Sequence, residues 1–291
     1  MPPYNGVNEY FRRRFGCKVY KLALDGGFTC PNRDGTVGTR GCIFCLNGSG
    51  GFAERCADTQ ALKSNIEAAK KRVNKKMADG KYIAYFQAYT GTYGDISYMA
   101  SLYGTVADMN DIVAISIGTR PDCLSDDVMA LLISINKKKP VIIELGLQTA
   151  HESTAEYIRR GYSLKCYIDA TERLKKNGIE TVTHIILGLP GETEEMMLET
   201  VRLACVHSNG IKLQLLHVLR GTDLADDYEK GLFTVMSMEQ YVALVKKCVD
   251  IIPENVVIHR ITGDGDKRYL IAPLWSADKK RVLNALNKAL L

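Results

Sequence analysis

Seven apolar runs recur along this chain, each followed by a loop and a helical stretch, and that alternation limits the folds open to it. The runs cover 18–24, 82–89, 112–117, 141–147, 181–187, 212–219 and 256–261. They are rich in Val, Ile and Tyr, and several are apolar at both odd and even positions. Strands covered on both faces read this way. Between them the patterning predicts helices over 59–78, 96–108, 125–137, 151–160 with 166–177, 193–208, 237–251 and 278–291. Thr149 with Glu152, and Ser237 with Gln240, have capping-box spacing. Gly80, Gly178 and Gly210 follow helical stretches, where a left-handed C-cap favours glycine. Such alternation argues for a parallel α/β fold, whose right-handed crossovers make a doubly wound sheet or a barrel. No G-x-G-x-x-G turn follows the first run, which favours a barrel or partial barrel. Its chemistry then gathers at the C-terminal ends of the strands.

The loop after the first run carries Cys30, Cys42 and Cys45, spaced C-x11-C-x2-C, with Gly35, Gly38 and Gly41 between them. The chain has nine cysteines, an odd count. No apolar run reaches the roughly 20 residues a bilayer crossing needs, and the first ten residues are polar, without a secretory pattern. A cytoplasmic setting without a membrane partner is therefore expected, and there cysteines serve metals or catalysis rather than disulfides. Three thiolates around a [4Fe–4S] cluster leave one iron open. S-Adenosylmethionine can chelate that iron through its amino and carboxylate groups, which holds its sulfonium beside an electron donor. A zinc site with Cys17 or Cys56 as fourth ligand is the alternative, and spacing alone leaves both open.

With these residues the sequence resembles the radical S-adenosylmethionine superfamily. It is nearest the branch related to the Elongator catalytic subunit and oxygen-independent coproporphyrinogen oxidase, and the likeness runs from about residue 20 to about residue 275. The resemblance implies a partial (β/α)6 TIM-like barrel over 18–275, an N-terminal extension over 1–17 and a C-terminal helix over 276–291. It implies a [4Fe–4S] cluster on Cys30, Cys42 and Cys45, with Phe44 against the adenine of S-adenosylmethionine. Segment 86–93 takes the place of the family's glycine-rich stretch, so the backbone of Ala88, Tyr89 and Thr90 would hold the methionine amino group. Ala88 and Tyr89 stand where the family has glycines, which leaves the contacts open. Thr119 and Arg120 would face the mouth. Glu144 and Gln148, four apart on one strand face, would lie near the ribose or carboxylate. Arg160, with Arg159 as alternative, would bind the methionine carboxylate. His184 stands where relatives often carry Asp, and would meet ribose or substrate. Gly188 would let backbone approach the adenine. Cys123 is a candidate hydrogen donor to a product radical, and a buried inert thiol is its plainer reading. His217, His259 and Arg260 are substrate-pocket candidates.

The implied activity is reductive cleavage of S-adenosylmethionine, followed by hydrogen abstraction from an unactivated C–H bond. A net charge of +5 permits a nucleic-acid partner without requiring one. Arg12, Arg13 and Arg14, ahead of the first run, are the best RNA-contact candidates, and the branch points to a tRNA wobble uridine side chain as substrate. An external reductase, or a flavodoxin or ferredoxin, would supply the electron. Two rivals are a zinc-stapled RNA-binding module without catalysis and an electron-transfer iron–sulfur protein. The three-cysteine loop argues against the latter.

Overall fold

The computed structural model describes residues 4–46, 53–74, 80–263 and 265–291. Residues 75–78 of the helix expected over 59–78, and Asp264, lie outside them. All seven runs form strands: β1 (Val19–Leu24), β2 (Lys81–Phe86), β3 (Ile112–Thr119), β4 (Val141–Gln148), β5 (Glu180–Leu187), β6 (Gly210–Leu215) and β8 (Val257–Arg260). They make one parallel sheet in the order β1-β2-β3-β4-β5-β6-β8. The run 212–219 divides at Leu216 and His217, and its end forms β7 (Val218–Leu219), antiparallel to β9 (Leu270–Ala272).

The sheet curls into a half-barrel. Lys21 on β1 reaches Glu144 on β4 at 2.6 Å, and Lys212 on β6 reaches the Tyr85 hydroxyl on β2 at 3.1 Å. Such contacts between strands that are not neighbours require a concave face. The convex face packs against α2 (Thr59–Asn74), α3 (Ile96–Ala107), α4 (Asp126–Lys138), α6 (Leu164–Lys176), α7 (Glu194–His207) and α9 (Met238–Ile251). Between sheet and helices lies the main core, including Leu22, Ala84, Ile115, Ile143, Ile185 and Leu213.

The concave face is built in layers. Nearest the strand N-termini, Val19, Ile83, Ala114, Ile142 and Val182 form an apolar floor. The floor is closed by α1 (Val7–Phe15), whose Phe11 is 3% exposed among them. Val7, Phe11 and Phe15 share one helical face, and Gly16 ends the helix in the left-handed region at φ 71°. One layer further up, the interior turns polar.

Two capping expectations change and two hold. Ser237 and Gln240 form the reciprocal box on α9. Thr149 does not cap α5 (Glu152–Tyr157), because its hydroxyl turns to the Glu192 carboxylate and the His151 N–H. Gly210 starts β6 instead of capping α7; a Cβ there would lie 2.8 Å from the His259 ring. Gly178, at φ 65°, is the left-handed turn its position suggests.

α8 (Asp223–Glu229) and α10 (Lys279–Leu290) complete the helices. A cavity of about 440 Å³ opens beside α1, β8 and α10, lined in part by Val7, Arg260, Thr262, Lys279 and Asn287. It sits on the seam side of the half-barrel and includes no residue of the cysteine loop.

Candidate active site

The cysteine loop leaves β1 at its C-terminal end and is stitched across the mouth. The Ile43 N–H donates to the Ile158 carbonyl at 3.2 Å, and the Leu224 N–H donates to the Ile43 carbonyl at 3.0 Å. Asn32, 5% exposed, donates to the Arg159 carbonyl at 2.6 Å and to the Cys42 sulfur at 3.5 Å. Arg33 donates to the Cys45 carbonyl. Gly38 is required here, since a Cβ would lie 2.6 Å from the Asn32 side-chain oxygen.

These bonds bring the three thiols within reach of each other's charge. Burial, then Cys45 and, more weakly, Cys30 push the Cys42 thiol up to about 11, with Arg120 opposing. Among the described residues no three His, Cys, Asp or Glu side chains converge as a single-ion site. All nine cysteines are free thiols.

Among the described residues three other than glycine have positive φ: Tyr89 at 55°, Gln148 at 65° and Arg159 at 54°. All three belong to loops or strand ends at the mouth. Left-handed backbone is costly for such residues and tends to gather at functional sites. At Gln148 the register of β4 against β5 shifts. The side chain folds back over Gly146, where a Cβ would lie 2.7 Å from the amide nitrogen. Its carbonyl oxygen is buried without a hydrogen-bond partner, an exception among buried polar groups.

Several mouth residues expected to touch a cofactor are engaged by the scaffold. Arg160 is 1% exposed, with its guanidinium bonded to the carbonyls of Tyr162, Leu147 and Thr149 and to the Glu152 carboxylate. Arg120 holds Asp122 through two nitrogens, donates to the Arg160 carbonyl at 3.0 Å and stacks on Tyr162 at 4.8 Å. Arg159 pairs with Asp223. The Thr119 hydroxyl bonds Thr92 at 2.5 Å. Thr90 is buried, with its N–H on the Thr29 carbonyl. Ala88 and Tyr89 are half-buried on the same segment.

Phe44 lies half-buried beside Ile43, Ile186, Leu189 and Leu216 at the mouth. Gly188, at φ 91°, is held there by packing too: a Cβ would lie 2.6 Å from the Met236 methyl. Cys123 is a buried thiol, pushed up to about 12 by burial and then by Asp122.

Below the mouth is the polar layer. Glu144, 1% exposed, sits at its centre. One carboxylate oxygen accepts from Lys21 at 2.6 Å and from Ser116 at 2.7 Å. The other accepts from His184 at 2.7 Å and from Lys212. A carboxylate has about four acceptor sites, and all are filled. Burial, then Lys212, pushes His184 down to about 4, so it is a neutral imidazole donating from Nε2. His259 is driven well below its ordinary value by burial and then Lys21. Both its ring nitrogens are buried without hydrogen bonds, and its ring meets Phe11 edge-on at 5.9 Å. Lys212 is pushed down to about 7 by burial, with Lys21 and Arg260 adding to the effect against the Glu144 charge. His217 lies against Gly263 and Gly265, where a Cβ would come within 2.7 Å of its ring.

The expected residues therefore divide between two places. The cysteines, Phe44, Tyr89, Thr119, Arg120, Gln148, Arg160 and Gly188 are at the mouth. Glu144, His184, His259 and Arg260 belong to the interior, with the last two also lining the seam cavity. The sequence reading missed Lys21, Tyr85, Ser116 and Lys212. The signal was there in the two lysines, since a charge inside an otherwise doubly buried strand needs a partner.

The comparisons agree with this architecture. The Radical SAM superfamily model matches residues 34–204, and the Radical_SAM C-terminal domain model matches residues 208–291. YtqA of Bacillus subtilis is 46% identical over 99% of this chain and 89% of its own length. A tRNA uridine(34) acetyltransferase of Methanocaldococcus jannaschii is 26% identical over 52% of this chain and 28% of its own. Among solved structures, Methanocaldococcus infernus Elp3 with an N-terminal deletion superposes with a TM-score of 0.62 at 19% identity. That match covers 90% of this chain, which spans 63% of that one. A curled parallel sheet, a three-cysteine loop over its C-terminal edge and a family match across both halves of the chain have one joint reading: this is an enzyme of the radical SAM superfamily, which works with a [4Fe–4S] cluster and S-adenosylmethionine.

Proposed function

We propose that Cys30, Cys42 and Cys45 hold the cluster and that the substrate sits in the half-barrel beneath it. The observation that carries this reading is one loop with three thiols, tied across the C-terminal ends of the strands by the hydrogen bonds of Ile43, Asn32 and Leu224. When bound on these thiols, the cluster and S-adenosylmethionine would supply reductive C–S cleavage and the radical chemistry that removes a substrate hydrogen. The chain's own residues do the rest. Phe44 offers a flat apolar face for the adenine at the rim. Gln148 offers its unpartnered carbonyl oxygen to a ligand hydroxyl or ammonium. Tyr89, strained in the left-handed region, turns its segment toward the mouth. Arg160 and Arg120 brace the loops at the rim. The apolar residues around Phe44 keep water away. The barrel over 18–275, flanked by 1–17 and 276–291, works as one unit.

The electron comes from an external donor, with a flavodoxin or ferredoxin suited to a buried cluster. Nine free thiols suit the reducing cytoplasm.

The test is reductive cleavage under strictly anaerobic conditions. Protein with an intact cluster, given dithionite and S-adenosylmethionine, is expected to release 5′-deoxyadenosine. Cys42→Ala is expected to lose the brown chromophore and that release together. Full cluster content in Cys42→Ala would remove Cys42 from the ligand set.

A tRNA wobble uridine side chain is the second reading, and the similarity to the archaeal tRNA uridine(34) acetyltransferase over half of this chain favours it. Nucleoside profiling of tRNA from a deletion strain tests it. Loss of one modified wobble uridine is the supporting outcome; an unchanged profile alongside 5′-deoxyadenosine release would exclude it.

A further inference from the structure

We propose that Lys21 and Lys212, in the interior polar layer, bind the anionic group of the substrate, a phosphate or a carboxylate. This rests on the reading that hydrogen abstraction takes place in the half-barrel above them.

Among the described residues the Lys21 and Lys212 amines share one carboxylate, Glu144, and the other members of the layer, Tyr85, Ser116, His184 and His259, carry no negative charge. Arg260 adds to the positive field at Lys212 and His184. Buried charge is costly unless paired, and Lys212 is accordingly pushed down to about 7; a second anion beside it would favour its charged form. Donors tell the same story. An ammonium has three N–H groups. Among the described residues Lys21 makes one hydrogen bond, to Glu144, and Lys212 makes two, to Glu144 and Tyr85, and both amines also lie over the Tyr85 ring. The surplus N–H groups can be satisfied by an oxyanion. Among the described residues the one carboxylate of the layer already accepts four bonds, so a cationic ligand would find no acceptor on it. The layer thus selects for sign.

Access comes from within the half-barrel. The side chains of Lys21 and His184 keep 23% and 19% of their exposure. On the step above, β3 presents Gly118 opposite Glu144, with no side chain over the layer at that strand. A substrate with its anion on the lysines would extend toward the strand C-termini, where the cysteine loop lies. Binding energy drawn from that remote group would hold the reacting C–H bond in place.

Calorimetric titration of the anaerobic holoprotein tests the site, with inorganic phosphate and malonate as probes and chloride holding ionic strength constant. Saturable binding of at least one probe is expected. Phosphate alone would indicate a phosphate-bearing substrate, and malonate alone a carboxylate. Lys21→Met and Lys212→Met should each weaken binding about tenfold or more, as loss of a charge-assisted bond does. Lys246→Met, on the solvent side of α9, should bind as wild type does. If Lys212→Met fails to fold by circular dichroism, Lys21→Met at the sheet edge decides the matter. The proposal is overturned if neither anion saturates the wild type, or if the folded lysine variants bind as tightly as wild type. The two readings fail separately. Release of 5′-deoxyadenosine without anion binding removes only the anion site, whereas anion binding without that release removes only the radical chemistry.

Discussion

His184 carries a proton question that can be answered by measurement. Its ordinary value near 6.5 is lowered to about 4 in the folded chain, by burial first and Lys212 next. The unfolded chain therefore takes up a proton between about 6.5 and 4 that the folded chain refuses. Stability is highest above the unfolded value and falls as pH drops through that window, by at most about 1.4 kcal/mol per pH unit for one such group. His184→Gln keeps an N–H donor for Glu144 and cannot titrate. Urea midpoints of this variant should fall less between pH 6.5 and pH 5 than those of wild type at equal cluster content. Parallel slopes would mean that His184 is not the group that resists protonation. The same residue shows what sequence could and could not tell. Its place on the fifth run was legible from the apolar pattern, and its role as a polar residue facing inward followed from alternation. Its partner Glu144 stands on the neighbouring β4, but the rest of the layer was not legible, because Lys21 on β1 and Lys212 on β6 reach that carboxylate only through the curl of the sheet. Lys21, in the middle of the first run, and Lys212, at the start of the sixth, looked like ordinary charges until the concave face brought them together.

At the scale of elements, the seven strands and most helices could be read because their apolar periodicity is long and uninterrupted. α1 could not, since Arg12, Arg13 and Arg14 dominate its composition and hide the spacing of Val7, Phe11 and Phe15. Those three are what the helix is for: they seal the apolar floor. α8 is seven residues of mostly polar side chains, too short for any period to show. Gly210 misled for a similar reason, because close approach to His259 and a C-cap both ask for glycine. The sealing role of α1 has a measurable consequence. Phe11→Ala would leave a void among Val19, Ile83, Ala114, Ile142 and Val182, and a buried Phe truncated to Ala costs about 3–5 kcal/mol. Urea unfolding of the variant should show a loss of that order. A loss under about 1 kcal/mol would mean that the floor closes without α1.

The whole molecule has two ends, and the sequence could not say which end holds the arginines. Arg14 reaches Glu180 at the N-terminal start of β5, Arg13 reaches Asn5, and Arg12 pairs with Glu9. All three therefore lie at the floor, while the cysteine loop lies at the mouth. An eight-residue strand such as β4 spans about 26 Å, well beyond the roughly 8–10 Å over which exposed charges act at physiological salt. The arginines thus cannot hold a reacting base at the mouth, whatever they do elsewhere. The double variant Arg12→Ser, Arg13→Ser should release 5′-deoxyadenosine within about twofold of the wild-type rate, since neither side chain acts at that range. If a tRNA is the substrate, its salt dependence should come mainly from cations near the mouth, such as Arg40, whose side chain is 68% exposed where it pairs with Asp223. Removing one phosphate contact lowers the slope of log affinity against log salt by about one. Arg40→Ser should lower that slope, and the floor variant should leave it unchanged. The reverse result would place the nucleic acid along α1 and force a route from the floor to the mouth that the sealed apolar layer does not offer.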